Sequence, residues 1–138
     1  MYILFQFLAT NAKTPEIENP LYLFNTLMEC NSEECMGNIC KENGFQELPS
    51  ENYMHRFKFS DGTIYSFRMD TIDSKKIYPY ITVTTNKKKK DLEKILLESG
   101  YVKEGEIFVK GNSFCKHKRI CKIVKNKDSY EMIFKKNS

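Results

Sequence analysis

The sequence predicts an α+β fold: a multistranded antiparallel sheet, closed or nearly closed into a barrel, flanked by two or three helices. Apolar residues recur at helical spacing around residues 21–28 and 92–96. Asp61-Gly62 lies between two alternating apolar runs, a strong hairpin signal. The strands that flank it carry large side chains on both faces, which a sheet covered on both sides or a closed barrel accommodates. No linker divides the chain, so residues 1–138 read as one domain.

Taken in order, residues 2–9 read as a strand, and the prolines of "NAKTPEIENP" break it. Asn19 before Pro20 is a helix start, a capping side chain ahead of a proline at the first helical position. Leu21, Phe24, Leu27 and Met28 give that helix one apolar face. A second helix is expected from Ser32 to about Lys41, closed by Gly44. "YMHRFKF" and "TIYSFRMD" form the hairpin, and "KIYPYITVTT" is a third strand whose Pro79 suggests an edge or a bulge. A third helix begins near Asp91 and stops at Gly100. "EIFVK" and "SFCKHKRICKIVK" read as strands joined across Gly111-Asn112, and "SYEMIFKK" closes the chain. The order resembles two related halves without visible identity between them.

Composition excludes several classes. A net charge of +4 from 22 basic and 18 acidic residues describes an ordinary solvated surface, so direct nucleic-acid binding is not expected to be the main role. Basic and aromatic residues do interleave in "HRFKF" and "YSFR", as on single-strand binding surfaces, but any half-buried strand alternates in this way. The apolar start lacks a basic region and a cleavage site, and it is too short to span a bilayer. Five cysteines, an odd number, lead to the expectation of free thiols in a reducing compartment.

Reactive constellations are sparse. Cys115 and Cys121 on one strand would lie about 20 Å apart, beyond any tetrahedral zinc, and the five-residue spacing of Cys30, Cys35 and Cys40 spreads them around a helix. No metal or other cofactor is therefore expected. His55 and His117 sit among basic residues without a nucleophile motif. The pairs Glu16/Glu18 and Glu104/Glu106 alternate as metal-binding carboxylates do on strands, yet both read as loops. The run Lys87, Lys88, Lys89 and Lys90 precedes the third helix; its readings are solvated loop, nuclear import signal or phosphate contact.

The run Leu96-Leu97-Glu98-x-Gly100-Tyr101, followed by Glu106, Lys110-Gly111 and Phe114, resembles the signature region of the subunit 18 family of the transcriptional Mediator head module. "ILFQFLAT" with the helix at Leu21–Cys30, "FKFSDGTIYSFRM" and "SYEMIFK" extend the likeness to most of the chain, which is shorter than the family norm. The resemblance implies a barrel flanked by helices and a non-catalytic, protein-binding role in RNA polymerase II transcription in the nucleus. It also implies a heterodimer with Mediator subunit 20 and a C-terminal helix of subunit 8 as anchor. Gly100 and Gly111 are then structural, and Glu98, Phe108, Lys110 and Phe114 are candidate interface residues. The same barrel superfamily contains metal-dependent RNA triphosphatases, which makes a tunnel phosphohydrolase the alternative. Those enzymes need glutamates alternating along strands, and the last strand offers Glu131 alone. A barrel interior lined by Phe57, Phe59 or Tyr65 would not hold metal-bridged phosphates.

Overall fold

The computed structural model describes residues 17–72, 76–111 and 118–137. The expected first strand at residues 2–9 lies outside them. Asn19 Oδ1 accepts from the Leu21 amide at 2.9 Å and starts a turn that tightens into a short helix, α1 (Phe24–Met28). Ser32 caps α2 (Glu33–Glu42) through a bond from the Cys35 amide to its hydroxyl at 3.0 Å. Gly44, at φ +86°, ends α2 with the Phe45 amide reaching back to the Cys40 carbonyl and the Gly44 amide to Lys41.

Four strands follow: β1 (Gln46–Glu51), β2 (Met54–Lys58), β3 (Ile64–Ile72) and β4 (Lys76–Thr85). The Asp61-Gly62 hairpin joins β2 and β3 as expected, with Asp61 Oδ1 accepting from the Thr63 amide at 2.8 Å. β1 was not anticipated. Its sequence QELPSE is almost wholly exposed and carries a proline, so nothing in it alternates. It is a strand because it pairs with β2 around Asn52 and Tyr53, both at positive φ.

The third helix, α3 (Lys89–Glu98), ends as α2 does: Tyr101 N–H reaches the Leu96 carbonyl and Gly100 N–H that of Leu97. The chain continues through β5 (Val102–Glu104), β6 (Ile107–Lys110), β7 (Lys118–Lys125) and β8 (Tyr130–Asn137). β5 is three exposed residues, too short for a sequence signal.

These strands form one antiparallel sheet in the order β1-β2-β3-β4-β8-β7-β6-β5. That order is a palindrome about the β4–β8 pair, and the registers on its two sides correspond. His55 faces Phe67 as Phe108 faces Cys121, and Met69 faces Pro79 as Ile123 faces Met132. The two halves are thus one helix-plus-four-strand unit used twice. The described strands do not close into a barrel: β1 and β5 stand at opposite ends of the order, and each is bonded to one neighbour only. Pro79 lies on an inner strand with an unbroken register to β3, yet at a local edge of it. The proline is tolerated because the described pairing with β8 starts at Ile81, so no neighbour on that side needs its missing N–H.

Strand alternation separates two faces. Phe57, Tyr65, Phe67, Ile81, Val83, Cys121, Met132 and Phe134 turn toward the helices and are nearly or wholly buried with Leu27, Met36, Leu92 and Leu96. The Phe24 ring lies 4.3 Å from that of Phe134, and Phe57 stacks on Phe67 at 5.6 Å. Among the described residues no helix is long and apolar enough to cross a membrane.

Phe134 belongs to the central strand pair and is 1% exposed. Phe134→Ala is expected to cost about 3–5 kcal/mol, whereas Lys135→Ala, on an exposed neighbour, should stay within about 0.5 kcal/mol; urea denaturation of both variants measures the difference.

Candidate functional site

Two surfaces bring chemistry-bearing residues together. The first is the face of the sheet turned away from the helices. Arg56, Ser66, Arg68, Tyr80, Thr82 and Glu131 line a cleft of about 470 Å³ there, in which the remaining walls come from β1–β4, β8 and adjoining turns. Arg68 is held by Asp70 at 2.7 Å and lies 4.4 Å over the Tyr80 ring; the Asp70 bond pushes its pKa further up. Arg56 has a looser partner, Glu51 at 3.9 Å. This arrangement corrects one expectation: Phe57, Phe59 and Tyr65 do not line an interior. Phe57 packs against Gly37 of α2, Phe59 against Phe45, and the Tyr65 hydroxyl donates to the Pro20 carbonyl. Glu51 and Glu131 are the carboxylates that line the cleft.

The second surface is the segment from Leu96 to Lys110. Gly100, at φ +95°, stops α3 and lets Tyr101 turn into the core. Lys110 folds across from β6: a Cβ built on Gly100 would stand 3.4 Å from its Cε, and its Nζ lies 5.8 Å over the Tyr101 ring. Glycine is thus required both for the left-handed backbone and for the lysine that covers it. The ammonium also approaches the C-terminal, electronegative end of α3. Beside it a pocket of about 200 Å³ is lined by Asn19, Tyr22, Phe24, Asn25 and Ser99 as well as Tyr101 and Lys110. Burial pushes the Tyr101 hydroxyl well above the usual phenol range, and it has no hydrogen-bond partner among the described residues.

Of the expected interface residues, Glu98 is exposed on α3 and Lys110 joins this second surface. Phe108 is corrected: at 2% exposure it is a core residue, because its position on β6 faces Cys121 on the helix-covered side. Phe114 lies outside the described residues, as do Glu16, Cys115 and His117. Lys88, Lys89 and Lys90 are exposed at the start of α3, and Lys87 is half-buried. Glu104 and Glu106 flank the Gly105 turn and are exposed.

The cysteines divide. Cys40 and Cys121 are free and buried, and burial pushes the Cys40 thiol up to about 12. Cys30 and Cys35 form a disulfide, contrary to the expectation of free thiols. Cys30 precedes α2 rather than lying on it, so the loop at Ser32 can bring the two Cα atoms to 5.8 Å. Among the described residues no three His, Cys, Asp or Glu side chains converge as metal ligands.

His55 is tied to α2. Its Nε2 is 2.8 Å from Glu33 Oε1, while Glu33 Oε2 accepts the Met69 amide at 3.0 Å, so α2 is pinned to β2 and β3. The Met69 amide first, and His55 second, hold the Glu33 carboxyl below its ordinary value. Sequence reasoning met Arg56 and Arg68 only within the runs HRFKF and YSFR, met Tyr101 only as part of the signature, and did not single out Arg119. Strand alternation was the available signal for the arginines; the orphaned hydroxyl had none.

Two outcomes follow. A depressed carboxyl stabilises fully above its unfolded value of 4.5 and ceases to do so as pH falls through its lower folded value. Glu33→Gln should therefore lower the urea midpoint at pH 7, and the gap to wild type should narrow at pH 3. Gly100→Ala is expected to cost about 1–3 kcal/mol, read from the same transition. Comparisons with protein-family models, curated proteins and solved structures return no match for this chain.

Proposed function

We propose that the protein is a non-catalytic, Mediator-subunit-18-like scaffold that binds other protein chains in the nucleus. The observation that supports it is the unit from Leu96 to Lys110. The residues that carry the resemblance, Gly100, Tyr101 and Lys110, pack as one helix stop, core anchor and covering lysine, and no reactive group takes part. A fold element held by packing suits a scaffold. On this reading the sheet closes into the family's barrel, subunit 20 and a subunit 8 helix are the partners, and Lys87 to Lys90 are read by an import receptor.

A tunnel phosphohydrolase is the second reading, and the cleft favours it more than the sequence did. Arg56, Arg68 and Glu131 share one polar face, where aromatic residues had been expected. It remains second because Glu51 and Glu131 come from different edges of the cleft, and Glu51 is largely solvated, so they do not form a carboxylate row for two metals.

Affinity purification of the tagged chain from its own cells, with mass spectrometry of what accompanies it, separates the readings. Recovery of Mediator head subunits is the expected outcome. Manganese-dependent phosphate release from triphosphate RNA that is abolished by Glu131→Ala, with no head subunit recovered, would replace the scaffold by the enzyme.

A further inference from the structure

The duplicated topology exposes one level of the sheet at which the two halves differ in chemical kind. In the first half, Phe57, Tyr65 and Val83 stand opposite one another on three adjacent strands and are 2%, 0% and 0% exposed. The corresponding positions of the second half are Lys110, Arg119 and Lys136, again opposite one another on β6, β7 and β8. Three cationic residues thus occupy one level of the sheet, over about 10 Å at normal strand spacing. Like charges directly opposite destabilise an antiparallel pair.

No described carboxylate offsets this. Lys110 and Arg119 are half-buried, and neither makes a salt bridge with a described carboxylate. Arg119 is held by a neutral group, Asn25 Oδ1 at 3.4 Å, and lies 5.9 Å over the Phe24 ring. Lys110 lies over Tyr101. Between Lys110 and α1 opens the pocket of about 200 Å³, with no acidic residue in its lining, and Arg119 reaches two residues that line it, Asn25 and Phe24. Tyr101, 4% exposed, lines the same pocket and carries the one buried side-chain polar atom left without a partner among the described residues. Half-buried cations without a described salt bridge and an unused hydroxyl donor at one place are the groups that an anion recognises.

The geometry points to an acidic peptide segment of a partner protein as the occupant, with one carboxylate seated between Lys110 and the Arg119 guanidinium. The aromatic walls given by Tyr22, Phe24 and Tyr101 suit the methylenes of a glutamate more than a phosphate, and Tyr22, 44% exposed at the rim, offers an anchor for the chain that carries it. Three cations over so short a row are few for a nucleic-acid backbone. This inference rests on the row of cations and the pocket beside it, and stands or falls apart from the Mediator reading.

The test uses the full chain and a fluorescein-labelled peptide with three glutamates at alternate positions, SGEAEAEGS, against its glutamine counterpart. Anisotropy should show binding of the acidic peptide only, weakened at least tenfold in Lys110→Met/Arg119→Gln and weakened by added salt. The same double variant should melt no lower than wild type, because a repulsive pair has been removed. Tyr101→Phe should raise the melting temperature by roughly 2–5 °C, since an unsatisfied hydroxyl is lost, and yet weaken the peptide. Equal binding of the glutamine peptide, or undiminished binding by the double variant, would overturn the proposal. So would a lower melting temperature in both variants, which would show the three groups already satisfied in the free protein. An oligothymidylate that binds more tightly than the acidic peptide, and is lost in the same variants, would overturn the carboxylate partner.

Discussion

Everything in this molecule hangs on the pairing of β4 with β8. Ile81 lies opposite Phe134 and Val83 opposite Met132, all four at most 1% exposed. That pair is the seam at which two similar units, each a helix followed by an antiparallel meander, become one sheet. Without it each half would be a small meander with one helix and too little apolar area to bury. Phe24 of α1 packs on Phe134 at the seam, so the first helix serves the joint rather than either half.

A duplicated frame has a consequence for function. Where both halves need core, matched positions stay apolar, as Ile81 and Phe134 do. Where one half departs from this pattern, the departure reports a use. The row Phe57, Tyr65 and Val83 is buried, with Phe57 against α2, and its counterpart Lys110, Arg119 and Lys136 is basic. The second unit therefore leaves open, between α1 and the C-terminal end of α3, what the first fills with aromatic side chains.

The polar side of the sheet is the other consequence of strand alternation. Residues turned from the helices in the middle of β2, β3, β4 and β8 line the cleft of Arg56, Arg68, Tyr80 and Glu131, where ion pairing at Arg68 and hydroxyl groups balance the charges. An acid-free pocket on one side and a balanced polar cleft on the other are different environments, and a single charge count for the chain averages them away.

Local backbone chemistry was legible in the sequence. Ser32 as a cap, Gly44 and Gly100 as stops, and Asp61-Gly62 as a turn each act within a few residues, so the string of letters is enough. Lys110 was legible as part of a signature, though not as the group that covers Gly100. What only the tertiary structure decided depends on partners distant in the chain. β1 is a strand because β2 lies beside it, Phe108 is core because Cys121 faces it, and Cys30 meets Cys35 because a loop turns between two helices. The likeness of the halves was hidden for the same reason: a shared register constrains backbone positions, while the side chains at those positions answer to whatever covers them.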